Sequence, residues 1–205
     1  MALFPLFIEL EGMDVLIIGG GHVALRKAES LASYGARVRL VAPEFCTELG
    51  SGGRFPLSRR GFEDADIEGA GLVIAATGDR ELNRRVSLLC RGRGIPVNVV
   101  DEPADCSFIF PALLRRGSLS AGVTTGGASP TAAAWARDRL DEALPEGLED
   151  ILEWLQAVRG RVKERVPDIS RRSGLFARLF ELCRERGRAL DEAEFEAFLE
   201  AEDER

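Results

Sequence analysis

Met13-Asp14-Val15-Leu16-Ile17-Ile18-Gly19-Gly20-Gly21-His22-Val23-Ala24 is the stretch that decides the fold. A continuous apolar run stopping at glycines reads as a strand buried on both faces. Beyond it Val23, Ala24, Ala28, Leu31 and Ala32 recur at helical spacing, and Gly35 supplies a C-terminal stop. The join between strand and helix, Gly19-Gly20-Gly21-His22-Val23-Ala24, has the GxGxxA form of a dinucleotide fingerprint. In that form Gly19 permits a tight turn, Gly21 lets the backbone approach a pyrophosphate, and Ala24 keeps the helix close to the sheet. Free N–H groups and the dipole at the helix start favour the anion. Gly19, Gly20 and Gly21 are therefore candidate cofactor-binding residues, with His22 beside the expected pyrophosphate.

Outward from this stretch the same alternation repeats. Residues 37–42 read as a second strand, 71–77 as a buried strand, 80–91 as a helix and 96–100 as a strand. The order is β-α-β, a less regular patch, then β-α-β, which implies a parallel sheet with right-handed crossovers and helices on both faces. After Asp101 the pattern changes. Residues 108–114 and 118–125 read as two strands around Arg115-Arg116-Gly117, a hairpin. A helix over 130–144 follows, with Ser129 as N-cap and Pro130 at its first position. The rest reads as amphipathic helix over 148–163, 175–186 and 191–202, broken at Pro167 and Gly187. The expected class is α/β: a Rossmann-like parallel-sheet domain over 1–112, a small α+β segment over 113–146, and a C-terminal helical region over 147–205.

Composition narrows the chemistry. With 205 residues, 27 cationic against 34 acidic side chains and a net charge of −7, the chain lacks the basic footprint of a nucleic-acid binder. It has one histidine, His22, and two lysines, Lys27 and Lys163; every other cation is an arginine. One histidine excludes a His-rich zinc site and leaves little room for a Ser-His-Asp triad. Two lysines leave few options for Schiff-base chemistry. A borrowed cofactor or a carboxylate is left to do the work. Cys46, Cys90, Cys106 and Cys183 show no CxxC or other ligand spacing, so no metal site is expected. Neither a secretory signal nor an apolar run of the ~18 residues that span a bilayer is present. The expectation is a reduced, cytoplasmic protein without membrane contact.

Three further positions carry chemistry. The ribose-binding acid usual at the end of the second strand is missing, because Val41-Ala42-Pro43 stands there and Glu44 comes slightly late. No arginine follows immediately, which favours NAD over NADP. Asp101 ends Asn98-Val99-Val100-Asp101 on the carboxyl side of the sheet. It is either a general base or an Asp closing a turn before Glu102-Pro103. Thr124-Thr125-Gly126-Gly127-Ala128-Ser129-Pro130 is either a second anion cradle, with Arg115 and Arg116 nearby in the hairpin, or a capped helix start after a glycine turn. On the first reading Thr124, Thr125, Ser129, Arg115 and Arg116 are candidate substrate-binding residues.

Several of these runs together resemble one family. Phe4-Pro5-Leu6-Phe7, the glycine run through Lys27, Val41-Ala42-Pro43-Glu44 and Ala75-Ala76-Thr77 are similar to the precorrin-2 dehydrogenase/ferrochelatase module of siroheme synthases. So are Asn98-Val99-Val100-Asp101, Ser107-Phe108-Ile109-Phe110-Pro111-Ala112 and Gly126-Gly127-Ala128-Ser129-Pro130, over about residues 3–145. The resemblance implies NAD-dependent oxidation of precorrin-2 to sirohydrochlorin, with Fe²⁺ insertion in some members; the long amphipathic tail helices, read from the residues, suggest a homodimer. By position it implies that His22, Val23, Pro43 and Glu44 line the NAD site and that Asp101 is the catalytic carboxylate. It also implies a module standing without the methyltransferase domain of larger siroheme synthases. His22 stands where relatives often carry an acid, and Thr125 where some carry serine. Two other readings remain open: an NAD-sensing regulatory module, and a chelatase or tetrapyrrole carrier without redox activity.

Overall fold

The computed structural model describes residues 3–203, and the chain divides into two compact units, Phe4–Phe110 and the part from Pro111 onward. The first unit is built on five strands, β1 (Asp14–Ile18), β2 (Arg37–Ala42), β3 (Leu57–Arg59), β4 (Leu72–Ala75) and β5 (Val97–Val99). They lie in the order β3-β2-β1-β4-β5, and every pairing is parallel. Successive side chains of a strand point to opposite faces. Val15 and Ile17 of β1 join Val38, Leu40, Leu72 and Ile74 in one core layer. Leu16 and Ile18 join Val41, Val73, Ala75, Val97 and Val99 in the other. Both layers are roofed. Helix α1 (His22–Ala32) sets Ala24, Ala28 and Leu31 on the first, and α3 (Arg80–Gly92) sets Val86 and Cys90 on the second. A strand covered on both sides has no reason to alternate, hence the unbroken apolar run.

The irregular patch between β2 and β4 contains two elements that the sequence pattern does not show, α2 (Thr47–Ser51) and the edge strand β3. β3 is three residues long with two of them exposed, so it leaves no hydrophobic signature; its pairing with β2, Leu40 opposite Leu57, creates it.

The second unit opens with an antiparallel hairpin of β6 (Ala112–Arg116) and β7 (Leu119–Val123). The first hairpin strand begins at Ala112, four residues later than its apolar pattern suggests. Ser107 and Phe108 are engaged with β5 instead: the Val97 N–H donates to Ser107 Oγ at 2.8 Å, and Asn98 Nδ2 donates to the Phe108 carbonyl at 3.1 Å. Pro111, which has no N–H to give a ladder, precedes the strand. Helix α4 (Pro130–Ala143) packs on the hairpin, with Ser129 Oγ accepting from the Ala132 N–H at 3.1 Å as its N-cap.

Three helices follow, α5 (Leu148–Arg165), α6 (Ile169–Arg186) and α7 (Glu192–Asp203). They enclose Ile151, Val162, Leu179, Cys183, Phe195 and Leu199, and Trp154 meets the Phe195 ring edge-on at 5.4 Å. α6 starts six residues before its apolar periodicity does, because the Asp168 carboxylate caps it, accepting from the Arg171 N–H at 2.7 Å. No helix among the described residues is long and apolar enough to cross a membrane.

Candidate active site

From β1 the chain winds out to β2 and β3 on one side, then returns to lay β4 and β5 on the other. That reversal is a topological switch point, where open α/β sheets bind ligands beyond the carboxyl ends of the strands. A cleft of about 440 Å³ opens there. Gly19, Gly20, Gly21, Pro43 and Glu44 line one part of it, Ala76, Thr77, Gly78, Leu82, Gly61 and Phe62 another, and the strand ends Ile18, Val41 and Ala42 the rest.

The three glycines serve different needs. Gly19 has φ +132°, and a Cβ there would stand 2.3 Å from the Ala76 carbonyl oxygen. At Gly20 a Cβ would stand 1.9 Å from the Glu44 carbonyl oxygen, because the chain after β2 crosses directly over the loop. The Cys46 N–H donates to the Gly20 carbonyl at 2.7 Å and holds that crossing in place. Both positions are glycine because protein backbone occupies the space. Gly21 differs: its φ is −86° and a Cβ would meet nothing within 4 Å. The space beside it is available to a ligand.

Helix α1 starts at that space without a cap. Gly21 offers no side-chain acceptor, and no acid stands in the first turn. By contrast α3, rising from the same edge, is capped by Asp79, whose carboxylate accepts from the Leu82 N–H at 3.0 Å. The first N–H groups of a helix need partners, and those of α1 point where an anion would supply them. Val23 is half-buried in this first turn, while His22 is exposed with Nδ1 3.9 Å from Glu48 Oε2. Across the cleft, the buried Asn83 fixes the loop after β4. Its Oδ1 accepts from the Thr77 hydroxyl at 2.7 Å, and its Nδ2 donates to the Thr77 carbonyl at 3.0 Å. Sequence reading misses Thr77 and Gly78 as part of the cleft, and Asn83 as the support behind them. A polar residue on the buried face of an otherwise amphipathic helix was the available signal.

Asp101 follows β5 at the same carboxyl edge. It is exposed, and with φ +62° it is the sole non-glycine residue in the left-handed region among those described. The Glu102 N–H reaches the Val99 carbonyl at 3.4 Å, so Asp101 sits at the third position of a tight turn, where glycine is ordinary. Its carboxylate forms no hydrogen bond or ion pair among the described residues. The neighbouring acid is engaged: Glu102 pairs with Arg80 at 3.0 Å.

The other candidates lie in the second unit. Arg116 is committed to the hairpin's own packing, with Nε 2.7 Å from Asp141 Oδ1 and Nη1 donating to the Pro145 carbonyl at 3.3 Å. Arg115 is exposed on β6. The hydroxyls of the 124–129 loop all serve the loop. Thr124 Oγ1 accepts from the Gly126 N–H at 3.2 Å, Thr125 Oγ1 accepts from the Ser129 N–H at 3.0 Å, and Ser129 caps α4. Gly126 and Gly127, with φ +65° and +89°, make the turn.

Two electrostatic features accompany the cleft's unit. Burial lowers the Lys27 ammonium to about 8, and its Nζ lies 3.5 Å from the centre of the Phe110 ring. Glu48 is held below the usual carboxylate range by its own backbone N–H, and further by His22 and the Cys46 thiol. His22, Cys46 and Glu48 thus come together, although they lie far apart or out of ligand spacing in the sequence.

Comparison with known proteins agrees with this geometry. The chain is 43% identical over 182 residues to a siroheme synthase of Ectopseudomonas mendocina (strain ymp), covering 88% of this chain and 39% of that protein. It is 44% identical over 184 residues to a siroheme synthase of Pseudomonas aeruginosa (strain UCBPP-PA14), covering 88% and 40%. The chain therefore spans about two fifths of the length of these relatives. Among solved structures its fold is similar to that of SirC, precorrin-2 dehydrogenase, with a TM-score of 0.77 at 23% identity over 99% of this chain and 100% of that one. Residues 6–112, more than half of the chain and the whole of the glycine-loop cleft, match the family model described as "Putative NAD(P)-binding", and the chain belongs to that NAD(P)-binding family.

Proposed function

We propose that this chain is an NAD-dependent precorrin-2 dehydrogenase that forms sirohydrochlorin. One observation carries the reading: an uncapped helix start beside the open flank of Gly21, in a cleft at the switch point of a parallel sheet. The similarity to siroheme synthases over 88% of the chain supports the choice of substrate. Gly19, Gly20, Gly21, His22 and Val23 hold the pyrophosphate end of the dinucleotide. Pro43 and Glu44 border its adenosine end, where Glu44 accepts from a ribose hydroxyl and disfavours a 2′-phosphate. When bound, NAD⁺ supplies the hydride acceptor. Oxidation at a saturated ring carbon removes a hydride and a proton, and the Asp101 carboxylate takes the proton. Within the second unit, Arg115, Thr124, Thr125 and Ser129 are the candidate partners of the substrate's acidic side chains, and Arg116 holds the hairpin to α4 through Asp141. The absence of an acid at the end of β2, which stops at Ala42, argues against an NAD-sensing regulatory module.

We also infer that the chain works as a homodimer. α4 buries only Ala133 within its unit, and leaves Trp135 and Leu140 exposed.

Purified chain given NAD⁺ and precorrin-2 is expected to form NADH and sirohydrochlorin in equal amounts, followed by their absorption. Asp101→Asn is expected to lower kcat about 10²–10⁴-fold while NAD⁺ affinity stays nearly unchanged. NAD⁺ binding without turnover by the unaltered chain would overturn the dehydrogenase, and full turnover by the variant would remove Asp101 from the chemistry.

A further inference from the structure

His22, Cys46 and Glu48 bring an imidazole, a thiol and a carboxylate together beside the glycine loop. One ligating atom of each lies within 4.8 Å of the other two, and His22 Nδ1 and Glu48 Oε2 are 3.9 Å apart. No other such mixed group of three occurs among the described residues. We propose that these three side chains form a binding site for a divalent transition-metal ion of the zinc class.

The backbone beneath the site is already held. His22 begins α1, where the Leu25 N–H donates to the Gly21 carbonyl at 3.0 Å. Cys46 immediately precedes α2, with its N–H on the Gly20 carbonyl at 2.7 Å and its carbonyl accepting from Gly50 at 2.9 Å. Glu48 is the second residue of α2. Only side-chain rotations therefore separate the observed arrangement from a ligated one. Tetrahedral zinc with bonds of about 2.0–2.3 Å places its donors roughly 3.3–3.8 Å apart. The widest spacing must close by about 1 Å, which rotamers of exposed and half-exposed side chains achieve. A thiolate and an imidazole select Zn²⁺ or Co²⁺ over Mg²⁺ and Ca²⁺, which prefer oxygen alone. Three protein ligands leave one tetrahedral position for water or an anion.

Charge counting gives the site a consequence. Without metal the cluster carries the single negative charge of Glu48 when His22 is neutral. On binding, the Cys46 thiol releases its proton to solvent and the S–M bond forms. Imidazole, thiolate, carboxylate and dication then sum to zero. A negative charge is thereby cancelled next to the helix start where a pyrophosphate would sit, so metal and dinucleotide bind with positive, reciprocal coupling. The coupling rests on the cleft being a dinucleotide site; the metal site does not.

The test uses the tag-free chain, in which His22 is the single histidine and gives the single imidazole Hε1 signal in the proton NMR spectrum. Zn²⁺ is expected to shift that signal to saturation, and Mg²⁺ to leave it in place. Co²⁺ is expected to give a sulfur-to-cobalt charge-transfer band that Cys46→Ser abolishes. His22→Ala and Glu48→Gln are expected to weaken Co²⁺ binding by at least about tenfold, with the circular dichroism of the fold retained. An unmoved imidazole signal, a cobalt complex lacking the thiolate band, or undiminished binding by Cys46→Ser overturns the site. NAD⁺ titrated with and without Zn²⁺ is expected to bind more tightly with the metal in the unaltered chain and equally in Cys46→Ser. Equal binding in the unaltered chain overturns the coupling alone. Failure of NAD⁺ to bind under either condition overturns the dinucleotide reading and the coupling with it, while the imidazole and cobalt signals still decide the metal site.

Discussion

A methyl group on Gly19 would collide with the Ala76 carbonyl at 2.3 Å and strain a φ of +132°, whereas one on Gly21 meets open space at an ordinary φ. The two alanine variants therefore fail differently. Gly19→Ala is expected to cost about 1–3 kcal/mol of folding stability, measured by denaturant unfolding. Gly21→Ala is expected to cost less than about 1 kcal/mol yet to lose NAD⁺ affinity in a calorimetric titration. Equal stability losses, or full affinity in Gly21→Ala, would contradict the assignment of Gly21 to the ligand. Asp101 stands in the opposite position, a residue with a Cβ where the turn prefers none. The structure tolerates that conformation because a short polar side chain pays little for it. Asp101→Gly is expected to keep or raise stability while turnover falls, a split that a merely turn-forming aspartate would not produce.

Among the elements, the short turn that leads from β3 towards β4 shows how a buried charge is tolerated. Asp66 is almost fully buried, yet each of its oxygens is used. Arg60 grips both, at 2.6 and 2.8 Å, and the Glu63 N–H donates to one at 2.9 Å. The Arg60 hydrogen bonds hold its carboxyl below the usual carboxylate range, against the opposing effect of burial. A lowered folded-state value means that the ionised form is favoured by folding. The contribution is fully present above the ordinary carboxylate range and is lost as pH falls through the folded value. Asp66→Asn is expected to cost about 1–3 kcal/mol at neutral pH and to flatten the acid limb of a stability–pH curve below about pH 4. A variant with the same acid slope as the unaltered chain would refute this. The element-level patterns of β1, β2, β4, α1 and α3 are legible in the sequence because each buries an apolar set, continuous in β1 and β4 and periodic in the helices. β3 and α2 are not, because they are short and stand on pairing with a neighbour rather than on their own pattern.

For the whole molecule, the exposed Trp135 and Leu140 on α4 are apolar surface that a second copy would cover in the proposed homodimer. Trp135→Glu is expected to shift light-scattering mass from dimer to monomer; a monomeric unaltered chain would refute the homodimer. The sequence by itself determined the parallel sheet, the glycine loop at its centre, and the caps that start α4 and end α1, since all rest on local periodicity and backbone freedom. Only the tertiary structure decided which glycine faces a ligand, because that depends on whether Ala76 and Glu44 from other strands come close. It alone showed that the buried Asn83 holds Thr77 of the cleft wall in place and that the 124–129 hydroxyls serve their own loop. It alone brought His22 to Cys46 and Glu48, from the beginnings of two successive connections, after β1 and after β2. Chain neighbours set conformation, but chemistry is set by neighbours in space, and a parallel sheet draws those from strands that are remote in sequence.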